Sequence, residues 1–179
     1  RRELWLDEPG SRLLVEARYS GHEAESQRSS WKDIPPQQIT HQLLGYYSKL
    51  YPDLEGTSQP EIKDNLRTNE LVVRQQFSSS AGIDELTRNG LPLYADLIDS
   101  YLKTIDSARK QPLALGAPVR IRQEFVFNLP HDVNIADYSQ QYDNAVFKFS
   151  VWVRQISPRL LRITYRYQNH LDHVPVREL

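Results

Sequence analysis

Three runs in the last third of the sequence alternate apolar and polar residues, at residues 119–129, 146–156 and 160–167. Successive side chains of an extended strand point to opposite faces, so this alternation predicts strands with one buried and one exposed face. Such runs are typical of an antiparallel sheet that packs one face on a core and turns the other toward solvent. The alternation therefore restricts the chain to a fold in which strands dominate.

The first half of the chain adds further strands. Leu4 and Leu6 belong to a first strand, Pro9 and Gly10 supply a turn, and residues 12–19 alternate again, so these segments predict a hairpin. Another strand is predicted at residues 66–77. Its apolar residues on one face are Leu71, Val73 and Phe77.

One helix is predicted at about residues 36–51, where apolar residues recur every three or four positions. Pro36 suits a first helical turn, and Pro52 ends the helix because the residue before a proline is driven out of the helical region. Gly45 lowers helix stability by roughly 1 kcal/mol relative to alanine, so packing must hold the helix in place.

Three other segments carry weaker helical patterns. Residues 22–32 fit either a short helix or a loop. Residues 91–105 have helical spacing but also fit an extended piece, because the period alone does not decide. Residues 174–179 resemble the start of a helix, with Pro175 in its first turn.

These patterns predict a mainly β fold, an antiparallel β-sandwich with one crossover helix and a truncated C-terminal helix. Residues 1–179 are expected to form a single domain, with a possible subdomain break near residues 78–90 that is rich in Ser, Gly and Asn. Both ends of the sequence look cut, so we expect the chain to be a piece of a longer protein.

Composition excludes several function classes. The chain has no cysteine, which removes disulfides, zinc–thiolate sites and thiol nucleophiles. Its 22 basic and 23 acidic residues argue against a nucleic-acid-binding domain, which is normally basic. No apolar run approaches the ~20 residues that a membrane-spanning helix needs, so membrane insertion by this segment is not expected.

The densest group of ligating residues is His170, Asp172 and His173. Two histidines three apart on a helix could share a metal ion, but in an extended chain they point to opposite faces. The segment follows a strand, so we interpret it as a polar loop or edge. The sequence carries no nucleophile elbow and no glycine-rich nucleotide loop. No catalytic residue, metal or cofactor is therefore assigned.

A basic face is the most informative candidate site. Seven residues alternate with the apolar set of the last three strands and should point away from the core: Arg120, Arg122, Lys148, Trp152, Arg154, Arg162 and Arg166. A solvated surface balanced by acids such as Glu124 is one interpretation. The functional alternatives are docking to an acidic neighbour, most simply another domain of the same polypeptide, or a stacking platform at Trp152 for a glycan or peptide.

Several segments in order along the chain resemble the region that follows the catalytic core in bacterial transglutaminase-like proteins. The first block comprises residues 11–21 (SRLLVEARYSG), Glu23-Ala24-Glu25 with Arg28, Tyr46-Tyr47 and Leu50-Tyr51-Pro52. The second comprises Asp64-Asn65 and residues 69–73, and Asp64-Asn65 stands where the family usually has paired aspartates. The third comprises Arg109, residues 112–115, Pro118, Leu129-Pro130 and Tyr165-Arg166-Tyr167.

The resemblance implies a non-catalytic accessory domain. Members carry an N-terminal β-sandwich, a papain-like core with a Cys-His-Asp triad, and a β-rich C-terminal region. No triad residue can be assigned here, because the chain lacks cysteine. The resemblance also implies that residues 99–105 are extended and that the protein is periplasmic or associated with the cell envelope.

Overall fold

A computed structural model describes residues 1–7, 10–51, 53–80, 94–102 and 110–174 of the chain. The structural statements below refer to these ranges. None of the helices within them has the length and apolar character needed to cross a membrane.

Strands dominate the described part of the chain. In order they are β1 (Arg2–Asp7), β2 (Gly10–Ser20), β3 (Leu54–Gly56), β4 (Glu61–Asn65), β5 (Glu70–Ser79), β6 (Leu113–Ala114), β7 (Arg120–Asn128), β8 (Tyr138–Asp143), β9 (Phe147–Ser157), β10 (Leu160–Asn169) and β11 (His173–Val174). The described helices are α1 (His22–Trp31), α2 (Pro36–Tyr47) and α3 (Asp96–Tyr101).

Nine of the described strands form one open, mostly antiparallel sheet. The order is β3-β5-β2-β1-β7-β10-β9-β8, with β4 also paired to β5, while β11 and β6 form a separate two-stranded sheet. The prediction of a mainly β, mostly antiparallel fold is confirmed. The two layers of a sandwich are not clearly present, because in both halves of the chain helices cover part of the apolar strand face.

The chain divides into two compact units. Unit 1 comprises Arg1–Pro92 with Val126–Asp132, and unit 2 comprises Leu93–Phe125 with Val133–Leu179. Most of the predicted break, residues 78–90, lies outside the described residues.

Unit 1 begins with the predicted hairpin. β1 and β2 pair antiparallel with Leu4 opposite Leu13, and both side chains are buried. β2 then pairs with β5, which brings Leu13 opposite Phe77. Helix α2 places Tyr47 against Phe77 with a ring-centroid distance of 5.6 Å. The apolar alternation of both strands is thus satisfied by one shared core.

Helix α1 is tied to the β4–β5 hairpin by a polar network centred on Arg28. Ala24 packs on Leu71 and Val73. The Arg28 Nε donates to both carboxylate oxygens of Asp64 at 3.0 Å, and its Nη1 donates to the Asn69 side chain at 2.6 Å. The polar segment 22–32 is therefore a helix held by residues about forty positions away.

Two predicted elements of unit 1 have different limits. Helix α2 ends at Tyr47 and not at residue 51, and the amide N–H and hydroxyl of Ser48 both donate to the Leu44 carbonyl in its last turn. The predicted strand 66–77 was wrong at its start. Leu66 lies in the turn between β4 and β5, where the Asn65 side chain accepts the amide hydrogens of Arg67 and Thr68.

Unit 2 is built on the three alternating runs of the last third, which form β7, β9 and β10 as predicted. β9 and β10 pair antiparallel, with Val153 opposite Ile163 and Phe149 opposite Tyr167. Helix α3 seats Ile98 against Tyr167 and Ile121 on the same face. The Gln123 side chain on β7 donates to Asp96 at 2.5 Å and so fixes the start of α3.

Three features of unit 2 correct or extend the sequence predictions. The extended conformation expected for residues 99–105 was wrong for Asp99, Ser100 and Tyr101, which belong to helix α3. Residues 103–109 lie outside the described ranges. Val174 pairs with Leu113 in a strand, whereas residues 175–179 of the predicted C-terminal helix lie outside those ranges. β8 was missed, because its six exposed residues lack apolar alternation.

The Arg28 network gives a stability prediction for unit 1. Arg28→Ala should lower the free energy of unfolding by about 1–3 kcal/mol, because two partners lose a charged hydrogen-bond donor that is only 20% exposed. Arg28→Lys should recover only part of that loss, since an ammonium cannot reproduce the bidentate contact. Urea unfolding measures both changes.

Arg18→Ala is the matched control, because Arg18 also pairs with a glutamate on β2 but is 67% exposed. It should leave the free energy of unfolding nearly unchanged. Equal losses for Arg28→Ala and Arg18→Ala would show that the network adds nothing beyond surface charge.

Candidate functional site

The basic face predicted from the sequence lies on unit 2, on the side of the sheet opposite the core cluster of Ile121 and Tyr167. The register places Trp152 opposite Thr164 and Ser150 opposite Arg166, one position away from the buried pairs. On the other side of β9, β8 brings Gln141 opposite Ser150. Strand pairing thus assembles on one surface side chains that are far apart in the sequence.

This surface contains a shallow cleft of about 440 Å³. Five of the seven predicted residues line it: Arg120, Arg122, Lys148, Trp152 and Arg166. The sequence analysis missed the polar floor and rim, which include Ser150, Gln141 and Gln168. Ser150 and Gln168 could have been found by continuing the alternation, whereas Gln141 required knowledge of β8. We refer to this site as the basic cleft.

Trp152 and Arg166 form the centre of the basic cleft. The Arg166 guanidinium lies 5.1 Å from the Trp152 ring centroid. Such stacking holds the guanidinium by attraction to the ring face and leaves its N–H groups available in the plane of the group. Trp152 is only half-buried, so part of the indole also lines the cleft. The pair offers a flat apolar surface beside a fixed cation.

The cations of the basic cleft differ in their neighbours. Arg122 forms a salt bridge with Glu124 at 2.6 Å, and Lys148 forms one with Asp143 at 2.8 Å. Within the described ranges, neither Arg120 nor Arg166 has a carboxylate within salt-bridge distance. Glu124 is the balancing acid that the sequence suggested, and it pairs with Arg122. The cleft therefore keeps two guanidinium groups that can bind an anion.

The other two predicted residues lie beside the basic cleft and not in its lining. Arg154 pairs with Asp137 at 2.6 Å, and Asp137 also accepts the amide hydrogen of Gln155. Arg162 is opposite Arg154 in the strand register, and its Nε is buried without a hydrogen-bond partner. Asp137 thus ties Arg154 and the backbone of Gln155 together at the margin of the sheet, and neither Arg154 nor Arg162 lines the cleft.

The residues His170, Asp172 and His173 do not converge. The His173 Nδ1 lies 2.6 Å from the Asp172 carboxylate, whereas the His170 Nε2 lies 3.8 Å from Asp143. In the part of the chain that the structure describes, no group of three histidine, aspartate or glutamate side chains could hold a metal ion. Residues 170–172 form a bend between β10 and β11, so the two histidines do not stand on one continuous strand.

Two carboxylates beside the basic cleft, Asp137 and Asp143, have a lowered pKa. The hydrogen bond from Arg154 lowers the pKa of Asp137, and the hydrogen bond from Lys148 lowers the pKa of Asp143. On the core face, burial raises the pKa of Tyr165 and of Tyr167. The hydrogen bonds from Arg154 and Lys148 thus favour the charged form of their carboxylate partners.

The lowered carboxyl pKa values predict acid sensitivity. A carboxyl group with a lower pKa in the folded state stabilises the fold above its unfolded pKa, and this contribution is lost as the pH falls through the folded value. The free energy of unfolding should therefore begin to fall below about pH 5 and decline further below about pH 4. Asp137→Asn with Asp143→Asn should make this decline shallower in urea unfolding measured across that range.

Asp33→Asn, in the exposed turn after α1, is the control and should leave the decline unchanged. A double variant whose stability falls as steeply with acid as the unchanged chain would contradict the assignment of these two carboxylates.

Comparison with known proteins adds no relative to this geometry. No protein-family model matches the chain, no curated protein matches it, and no solved structure matches it.

Proposed function

We propose that this chain is a non-catalytic accessory module that docks through the basic cleft onto an acidic surface of a neighbouring domain of the same polypeptide. The observation that carries the proposal is the pair Arg120 and Arg166, which line the cleft without acidic partners among the described residues. The resemblance to the C-terminal region of bacterial transglutaminase-like proteins supplies the context. In that context the neighbour is a catalytic core and the location is the periplasm or cell envelope.

The charge pattern supports docking more than simple solvation. A solvated face pairs or disperses its charges, and isolated surface salt bridges contribute only about 0–1 kcal/mol. Here two guanidinium groups are concentrated in one concave site, and one of them is held against an indole ring. Arginine and tryptophan are the residues that contribute most often to binding energy at protein interfaces. The cleft has the composition of such an interface.

The chemistry of the partner follows from the guanidinium groups. Carboxylates of aspartate or glutamate can accept two parallel hydrogen bonds from an arginine, which fixes orientation as well as charge. Charge complementarity of this kind chiefly accelerates association and excludes wrong partners. We therefore expect binding that weakens strongly as salt is added.

The test measures binding between this chain and the protein segment encoded next to it, produced separately. Arg120→Glu with Arg166→Glu should weaken binding by roughly 10- to 100-fold, because two attractive contacts become repulsive. Isothermal titration calorimetry at low and high salt gives the affinity. The matched control is Arg12→Glu with Arg18→Glu, which makes the same change of net charge on the exposed side of β2.

The docking proposal fails if the two segments neither bind nor change each other's stability. It fails equally if the β2 control weakens binding as much as the cleft variant, because net charge alone would then account for the effect.

A second candidate function rests on the exposed part of Trp152. Its indole lines the cleft next to Arg166, so the same site could bind an anionic glycan or an acidic peptide by stacking and charge. An aromatic contact of this kind contributes about 0.5–1.5 kcal/mol beyond area burial. This role also requires no covalent chemistry.

The second candidate predicts a ligand-dependent change in the emission of Trp152. Oligogalacturonate and a poly-glutamate peptide are suitable probes, and Trp152→Phe should remove the change although Trp5 and Trp31 remain. Trp31→Phe is the matched control and should retain it. The absence of any emission change with both probes would reject the ligand-binding role.

A further inference from the structure

β8 lies at the end of the sheet order, so one of its edges has no strand partner in the described part of the chain. All six of its residues, Tyr-Ser-Gln-Gln-Tyr-Asp, are exposed. An unpaired strand edge presents backbone donors and acceptors that can pair with another strand. Of the residues of β8, Gln141 lines the basic cleft.

The two ends of the sheet are protected differently. β4, which pairs with β5 near the other end, has the sequence Glu-Ile-Lys-Asp-Asn, so three of its five residues are charged. β3 has only three residues. Charged and very short edge strands are common devices against edge-to-edge pairing. β8 contains no lysine, arginine or proline, and its single charge, on Asp143, is paired with Lys148.

The sequence of β8 is also nearly symmetric about Gln140. A two-fold axis perpendicular to a sheet keeps each face on its own side, so a residue can only oppose residues of the same face. An axis at Gln140 places Tyr138 opposite Tyr142 of the second copy and Gln140 opposite itself. Tyr138 donates to the Gln140 side chain, which donates to Tyr142, so these three side chains already form one row.

We infer that β8 pairs antiparallel with β8 of a second copy of this chain, centred on Gln140. The pairing continues the sheet and sets the two half-exposed tyrosines of each copy in cross-strand contact, a pair type that stabilises sheets. Asp137 and Asp143 of the two copies oppose each other at the ends of the ladder. Each is neutralised within its own chain by Arg154 or Lys148, and together they limit the ladder to five residues.

The expected association is weak. Five paired residues bury less surface than the ~800 Å² per partner of a stable specific interface. We expect a dissociation constant on the order of 0.1 mM, measurable by sedimentation of the 179-residue chain over a range of concentrations. Gln140→Lys should weaken it about tenfold or more, because two ammonium groups then face each other on the axis. Leu66→Lys, a strongly exposed position in the β4–β5 turn, adds the same charge elsewhere and should not.

Cross-linking tests the register directly, because the chain has no cysteine of its own. Gln140→Cys places two thiols opposite each other and should form a covalent dimer under mild oxidation, at a spacing that suits a disulfide. Ser139→Cys opposes Gln141 of the second copy and should cross-link far more slowly. Faster cross-linking at position 140 and loss of the dimer in Gln140→Lys would together establish the pairing.

A monomer at every concentration would overturn the inference, as would a dimer that Gln140→Lys leaves intact or equal cross-linking at positions 139 and 140. The cleft variant Arg120→Glu with Arg166→Glu should still dimerise. Failure of this inference is therefore separable from failure of the proposed docking function.

Discussion

Burial of one face of β7 and β10 is the constraint on which the basic cleft depends. Ile121, Ile163 and Tyr167 lie in the core of unit 2, where each large apolar side chain contributes about 1.5–3 kcal/mol relative to exposure. Because side chains alternate along a strand, these positions force Arg120, Arg122 and Arg166 to the opposite face. A slip of one residue would bury three guanidinium groups, and no compensating interaction could offset that cost.

On the same face, some of the cations have acidic partners and others do not. Arg122, Lys148 and Arg154 are held by acids on the same or neighbouring strands, and those contacts lower the pKa of Asp137 and Asp143. Arg120 and Arg166 lie among them without acidic partners in the described ranges. The salt bridges of the three neighbouring cations thus surround the guanidinium groups of Arg120 and Arg166, and the groups that would bind a partner are already positioned.

In both units a short helix packs on the apolar face of the strands. In unit 1, α1 packs Ala24 on β5 and Arg28 ties the helix to Asp64 and Asn69. In unit 2, α3 packs Ile98 on β7 and β10, and Gln123 fixes the start of that helix. Short helices, each secured by a buried or half-buried polar contact, occupy positions where a sandwich would place a second sheet.

The sequence alone determined the features that depend on local alternation. It located the β1–β2 hairpin and the three strands of the last third. It also gave the outward direction of Arg120, Arg166 and Trp152, because the alternation of apolar and polar residues shows which side chains of a strand are buried. It could not locate β8, whose exposed residues carry no apolar pattern, nor the turn at Leu66, which the Asn65 side chain stabilises by accepting backbone amide hydrogens.

Tertiary structure decided which of the outward cations are neutralised and which form a cleft. The acids that pair with Lys148 and Arg154 are five and seventeen residues away, and the pairing of β8 with β9 brings them close, whereas Glu124 lies two residues from Arg122 on the same strand. Register also set Gln141 beside Ser150. Local pattern assigns each residue to a face, whereas long-range pairing of strands selects its neighbours, and neighbours determine what a charged side chain can bind.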